Sequence, residues 1–204
     1  MMIINKLRMA IQNPRMAMRF LKYRILRAFG HSDFKRFIVL SRARTGSNML
    51  VSFLNSHPNI RAEGEILNIL NGRNYLAVLT AAYKKAPYYV KAKGFKIFYY
   101  HPGDDPNSNV WDDLVNMKDL HVIHLKRRNI LRTLTSTKIA LAQNVWSTKA
   151  NDSLSDDSAK PKQISFTIDE LTKGFEQTRQ WEQNGDNMFD NHPMVSVYYE
   201  DLVN

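Results

Sequence analysis

The sequence predicts a three-layer α/β/α domain built on a mainly parallel sheet of about five strands. Two observations carry this. Short apolar runs rich in β-branched and aromatic residues recur at 37–40, 91–100, 121–125 and 194–199, as expected of strands buried on both faces. Between them lie longer stretches with helical spacing of apolar residues, and alternating strands and helices favour a parallel sheet between helical layers.

At 204 residues the chain is most simply one domain, and a chain of this size buries roughly 70% of its unfolded surface. Hydrophobic content of 44% and charged content of 24% are ordinary for a globular protein. There is no cysteine, which excludes disulfides and thiolate metal sites and fits a reducing compartment. No apolar run approaches the ~20 residues of a membrane span, and arginines interrupt any signal-peptide-like core near the start. A cytoplasmic location is expected.

The net charge of +10 is unevenly placed. Residues 1–36 hold nine Lys and Arg against Asp33 alone, a charge of +8, which leaves the remainder at +2. The chain therefore divides into a basic N-terminal helical segment, 1–33, and the α/β domain, 34–204. The segment reads as helix broken at Asn13-Pro14, with Phe20, Leu21, Ile25, Leu26 and Phe29 as an apolar stripe. Such a helix packs its stripe on the domain or lies on an anionic membrane surface, so peripheral membrane contact through 1–30 is one expectation. Nucleic acid is not an expected partner, because nothing in the chain resembles a base-reading module. The oligomeric state is not legible.

Phe37-Ile-Val-Leu40 runs into the polar loop Ser41-Arg-Ala-Arg-Thr-Gly46, and a helical pattern follows from Ser47, with Leu50, Phe53 and Leu54 at i, i+3, i+4 and Ser47 as the expected N-cap. Strand, tight loop and helix N-terminus make a phosphate-binding geometry, because the first helical N–H groups lack internal partners and the dipole favours an anion. Gly46 lets backbone approach closely, Arg44 can pair through two parallel hydrogen bonds, and Thr45, Ser47 and Asn48 add donors. The loop lacks the G-x-x-x-x-G-K-[ST] pattern of ATP and GTP sites.

A second strand, His121-Val-Ile-His-Leu125, leads into Lys126-Arg-Arg-Asn129 and a helix to about 146. Arg128 and Ser136 lie eight residues apart, one at the strand end and one about two helical turns on. Both can face one phosphate above the carboxyl edge of the sheet, where open α/β folds bind ligands.

The pair Arg44-Thr-Gly-Ser-Asn48 and Arg128-x7-Ser136 resembles the two signature sites of the sulfotransferases that use 3'-phosphoadenosine-5'-phosphosulfate (PAPS). Leu54-Asn-Ser-His-Pro-Asn-Ile60 with Gly64-Glu-Ile66, Gly94-Phe-Lys-Ile-Phe98 and the closing Tyr199-Glu-Asp-Leu202 resemble, more locally, the bacterial carbohydrate sulfotransferases of nodulation-factor type. The resemblance runs from about Phe37 onward. It implies a P-loop-like sulfotransferase fold and PAPS as cofactor. It also implies that the first loop holds the 5'-phosphosulfate, that Arg128 and Ser136 hold the 3'-phosphate, and that the acceptor is a carbohydrate or glycolipid. Many members carry Lys where this chain has Arg44, whose guanidinium keeps the charge but does not readily titrate. Members usually continue beyond the last strand with further helices, so a short or truncated member is expected.

Transfer to a hydroxyl needs a base. Residues 60–65 read as a short extended piece ending in Glu63 and Glu65, and a carboxylate near the first loop can serve once burial lifts its pKa toward the working pH. By resemblance, the Gly-Glu position supplies this base, which selects Glu65; its other reading is a surface carboxylate or a partner for Arg44. Residues 68–86 read as helix. The strand 91–100 ends at His101-Pro102, and His101 resembles, loosely, the general-base His of the cytosolic sulfotransferases. Lys96 either contacts substrate or lies on a solvated face. Residues 102–109 read as loop, 110–118 as a short helix, and the polar, acidic stretch 148–163 as a mobile loop, either a lid over the acceptor or a plain connection. Thr167-Ile-Asp-Glu170 is a capping-box pattern opening a helix to about 188.

The expected activity is therefore PAPS-dependent sulfuryl transfer, with Arg44, Glu65 and His101 as catalytic candidates. Its alternatives are a non-catalytic nucleotide-binding or membrane-peripheral protein of the same fold and, on a different chemistry, a P-loop kinase. No His, Asp or Glu cluster has convincing metal-ligand spacing.

Overall fold

A computed structural model describes residues 18, 21–23, 25–27, 29–143 and 164–203. The elements run β1 (Lys35–Ser41), α1 (Ser47–Ser56), β2 (Ile60–Glu63), α2 (Tyr75–Ala82), β3 (Ala92–Phe98), α3 (Val110–Asn116), β4 (Leu120–Lys126), α4 (Ile130–Gln143), α5 (Ile168–Met188), β5 (Met194–Tyr198) and α6 (Tyr199–Leu202). The five strands form one sheet in the order β2-β3-β1-β4-β5, and every pairing is parallel.

The central strand, β1, is buried from Phe37 to Ser41. In β1, Ile38 stands opposite Phe95 of β3 on one side and Val122 of β4 on the other. Period-two alternation divides the two faces. Ile38, Leu40, Phe95, Ile97, Leu120 and Val122 pack against Leu79 of α2, Leu114 of α3 and Phe189 at the end of α5. Phe37, Val39, Ala62 and Leu125 take the opposite face, where Leu50 and Leu54 of α1 cover them. This is the expected three-layer arrangement, with a sheet that is parallel throughout.

The order places the site. The chain leaves β1 through α1 toward the β2–β3 side, returns past β1 to β4, and continues outward to β5. The connections after β1 and β4 thus diverge from adjacent strands, and the crevice between their carboxyl ends is the topological switch point where ligands bind in such sheets. Both signature loops border this crevice.

Several expectations change. The N-cap of α1 is Gly46, in left-handed backbone (φ 89°) and without a side-chain cap, so Ser47 is the first helical residue. Helix over 68–86 shrinks to α2, because Asn71 (φ 52°) and Gly72 (φ 73°) leave helical space and Asn74 caps a new start through the Leu76 and Ala77 amides. Leu21, Ile25 and Phe29 of the N-terminal stripe are exposed rather than packed in the core. The capping box at Thr167 and Glu170 forms as its pattern predicts, with the side chain of each accepting from the backbone N–H of the other. The break at Asn13-Pro14 and the loop 148–163 lie outside the described residues, as does most of the segment to which membrane contact was assigned. No helix among the described residues is long and apolar enough to cross a membrane.

Candidate active site at the β1–β4 crevice

The β1–α1 loop is the floor of the site. Arg44 adopts φ 70° and Gly46 φ 89°, both left-handed. For a non-glycine residue such a conformation costs about 1 kcal/mol or more, and conformations of this kind concentrate at ligand-binding loops. Gly46 is required twice over, since a Cβ there would sit 2.3 Å from Cδ2 of Tyr199 as well as in unfavourable φ. Thr45 is buried and donates from Oγ1 to the Arg42 carbonyl (2.8 Å), which fixes the turn. The first turn of α1 carries neither a side-chain cap nor an acidic residue, so its amide end is electrostatically open to an anion.

The two sequence motifs meet here. Arg44 donates from Nε to Oγ of Ser136 at 2.8 Å, across 92 residues of chain. Arg127 donates from Nη1 to the Arg44 carbonyl (3.0 Å), and its guanidinium lies 4.2 Å from the Tyr199 ring centre. Arg128 does not share a partner with Ser136. Its guanidinium instead forms a two-pronged pair with Asp201 and stacks 4.2 Å from the Tyr198 ring. Glu200 accepts from the Arg128 and Asn129 amides, each at 3.1 Å. The closing Tyr199-Glu-Asp motif therefore braces both loops: its ring supports Gly46, and its carboxylates occupy the start of the β4–α4 turn. The role of that motif is not legible in the sequence, because its partners lie more than seventy residues away.

On the other side of α1 stands a second cluster. Lys96 of β3 is buried, pairs with Oε1 of Glu65 at 2.7 Å, and donates to Oδ1 of Asn48. This resolves the ambiguity at Lys96: parallel pairing on both sides of β3 puts it under the loop, not in solvent. Glu65 lies just past β2, with its side chain 28% exposed, enough to reach an incoming group. Glu63 ends β2 and forms no part of this contact. His101 is 2% exposed; its Nδ1 accepts from the Phe98 amide (3.2 Å), which leaves Nε2 as the protonated nitrogen. Burial holds this imidazole down at about 4, with Lys96 adding to the effect and Glu65 opposing it. At neutral pH His101 is thus an uncharged donor, a poor fit to the base role that its position suggested.

Beneath the floor lies a partly buried polar chain that the sequence does not reveal. The Tyr99 hydroxyl donates to Nε2 of His124 (2.7 Å), Nδ1 of His124 donates to Asp186 (2.8 Å), and Lys126 donates to both oxygens of Asp186 (2.8 and 2.6 Å). It ties α5 to β4. Burial, reinforced by Lys126 and opposed by Asp186, keeps His124 near 4 as well. Both imidazoles gain a proton more readily when the chain unfolds. Stability should accordingly be full above pH 6.5 and fall as pH drops toward 4, by up to ~3 kcal/mol per histidine. Denaturant midpoints at pH 7.5 and 5.0 check this, and equal midpoints would contradict it.

No family model matches the chain. It is similar to Nodulation protein H of Rhizobium tropici, with 28% identity over 183 residues covering 82% of this chain and 69% of that protein. This similarity supports a nodulation-type sulfotransferase relationship. A match of this length extends well beyond one loop. Among the described residues, no group of three or more His, Asp or Glu side chains is placed to hold a metal ion.

Proposed function

We propose that this chain is a sulfotransferase that moves a sulfuryl group from PAPS to a hydroxyl of a carbohydrate or glycolipid. The observation that carries the proposal is the Arg44–Ser136 bond, which joins both anion-binding motifs at the switch point. The residues present fit the anionic end of such a donor: an uncapped helix N-terminus, a left-handed glycine without a Cβ, and Arg44 beside Asn48.

When bound, PAPS supplies the electrophilic sulfur. Arg44 and the α1 amides, with Thr45, Ser47 and Asn48 in the same loop, hold its phosphosulfate and stabilise charge that develops on the leaving side. Lys96 holds Oδ1 of Asn48 and orients Glu65. Glu65 takes the proton of the acceptor hydroxyl as that oxygen attacks. His101 serves as a neutral hydrogen-bond donor beside it. Ser136 and Arg128 hold the 3'-phosphate, and for Arg128 this means exchanging Asp201 for the ligand.

That exchange makes a sharp test. Calorimetric titration without metal should show 3',5'-adenosine bisphosphate binding in preference to AMP and ATP, with at least tenfold loss in Arg44→Ala and in Arg128→Ala. Asp201→Asn, at an exposed position, should bind it severalfold more tightly, because a competing carboxylate charge is removed from Arg128. Preference for ATP with magnesium, or no binding at all, would overturn the proposal.

A further inference from the structure

An aromatic shelf stands beside the Glu65 cluster. Tyr99 and Tyr100 follow β3 directly, and Trp181 of α5 meets both: stacked on Tyr99 (ring centres 6.0 Å, 23° between planes) and tilted against Tyr100 at 5.5 Å. The Tyr100 hydroxyl accepts from the Ala43 amide (3.3 Å), which anchors the shelf to the β1–α1 loop. The Tyr100 ring touches His101 at 5.5 Å, edge to face. Burial pushes the Tyr100 hydroxyl up, the Ala43 amide and Arg42 oppose the rise, and the Glu65 carboxylate adds to it.

This shelf is not simply core. Tyr100 is 43% exposed, and the Trp181 ring is half-buried. Two buried N–H donors flank it without a hydrogen-bond partner among the described residues, Nε2 of His101 and Nε of Arg42. Arg42 is 9% exposed, lies 5.6 Å from the Trp181 ring centre, and spends Nη1 on Thr178. Leaving such donors unpaired typically costs about 1–3 kcal/mol each, so native sites usually leave them so for a reason.

A partly exposed aromatic surface, with Tyr100 tilted 50° against Trp181, edged by N–H donors and lying next to a carboxylate, suits one ligand class. A pyranose ring presents an apolar face of C–H groups that stacks on the negative face of an aromatic ring, while its rim of hydroxyls takes hydrogen bonds. We propose that Tyr100 and Trp181 form the acceptor-sugar subsite, where a pyranose stacks on the shelf and turns one hydroxyl toward Glu65. This rests on the sulfotransferase reading above and assigns its acceptor side, which is separate from the Arg44–Ser136 donor side.

The test loads the full chain with 3',5'-adenosine bisphosphate and titrates it by calorimetry with chitotetraose, cellotetraose, maltotetraose and trehalose. The expected result is binding of at least one saccharide, weakened tenfold or more in Tyr100→Ala and in Trp181→Ala. Tyr100→Phe and Trp181→Phe, which keep a ring, should stay within about threefold of wild type, and bisphosphate affinity should stay within twofold in all four variants. Saccharide binding that is unchanged in the alanine variants, or that is absent throughout while the bisphosphate binds, would overturn the subsite. So would a parallel loss of bisphosphate affinity in the phenylalanine variants, which would mark a structural role. Failure of the wild-type chain to bind the bisphosphate would instead defeat the sulfotransferase reading on which the subsite depends.

Discussion

Gly94→Ala is expected to destabilise the protein by about 3 kcal/mol, lowering the melting temperature by about 6–12 °C for a chain of this size. Gly94 sits in β3 between β1 and β2, opposite Phe37 on one side and Ala62 on the other. A Cβ there would lie 2.1 Å from the Phe37 carbonyl oxygen and 2.5 Å from Cδ2 of its ring. A side chain can turn away from such a clash, but a carbonyl held at the centre of a five-stranded sheet cannot. The strain would pass directly to β1, whose carboxyl end carries the Arg44 loop, and to Lys96 two residues on. A melt unchanged within 1 °C would show that β3 and β1 do not approach as closely as described.

Glu65→Gln is expected to lower the rate of sulfuryl transfer by ~10²–10⁴-fold, the usual contribution of a positioned general base. Gln keeps the shape and can still accept from Lys96, so bisphosphate affinity should remain within about twofold. The Lys96 ammonium is buried beside Asn48, and losing its anionic partner should also cost stability, by about 1–3 kcal/mol. Loss of turnover with donor binding intact separates a base from a residue that only shapes the loop. A variant that transfers at the wild-type rate would return the base role to another group.

The fold was legible because three of its strands, β1, β3 and β4, are largely buried on both faces and therefore read as plain apolar runs. β2 was weaker, since Ile60-Arg-Ala-Glu63 is an edge strand with mixed character. The helix expected over 68–86 failed because apolar spacing continued through Leu70 while Asn71 and Gly72 took positive φ, and spacing carries no signal for backbone sign. At the site, the local pattern around Arg-Thr-Gly-Ser was readable as a tight loop between a strand and a helix N-terminus. What could not be read were partners distant in sequence. Lys96 is a buried ion-pair partner only because Glu65 reaches it from beyond β2. Arg128 is engaged by Asp201 only because α6 follows β5 at the neighbouring strand. His101 looked like a base by position, and its burial, which no sequence pattern shows, makes it a neutral donor. Trp181 lies in a helix that the sequence marks only by its capping box, and its ring partners Tyr99 and Tyr100 are some eighty residues away.

The proposed sulfuryl transfer in the β1–β4 crevice, with Glu65 as base, moves sulfur from the nucleotide to a saccharide. The most direct measurement incubates the full chain with ³⁵S-labelled PAPS and a mixture of oligosaccharides and follows the label. Label is expected in the saccharide fraction at a rate that collapses in Glu65→Gln. Label that stays on the nucleotide or appears only as inorganic sulfate, in a protein shown to bind 3',5'-adenosine bisphosphate, would contradict it.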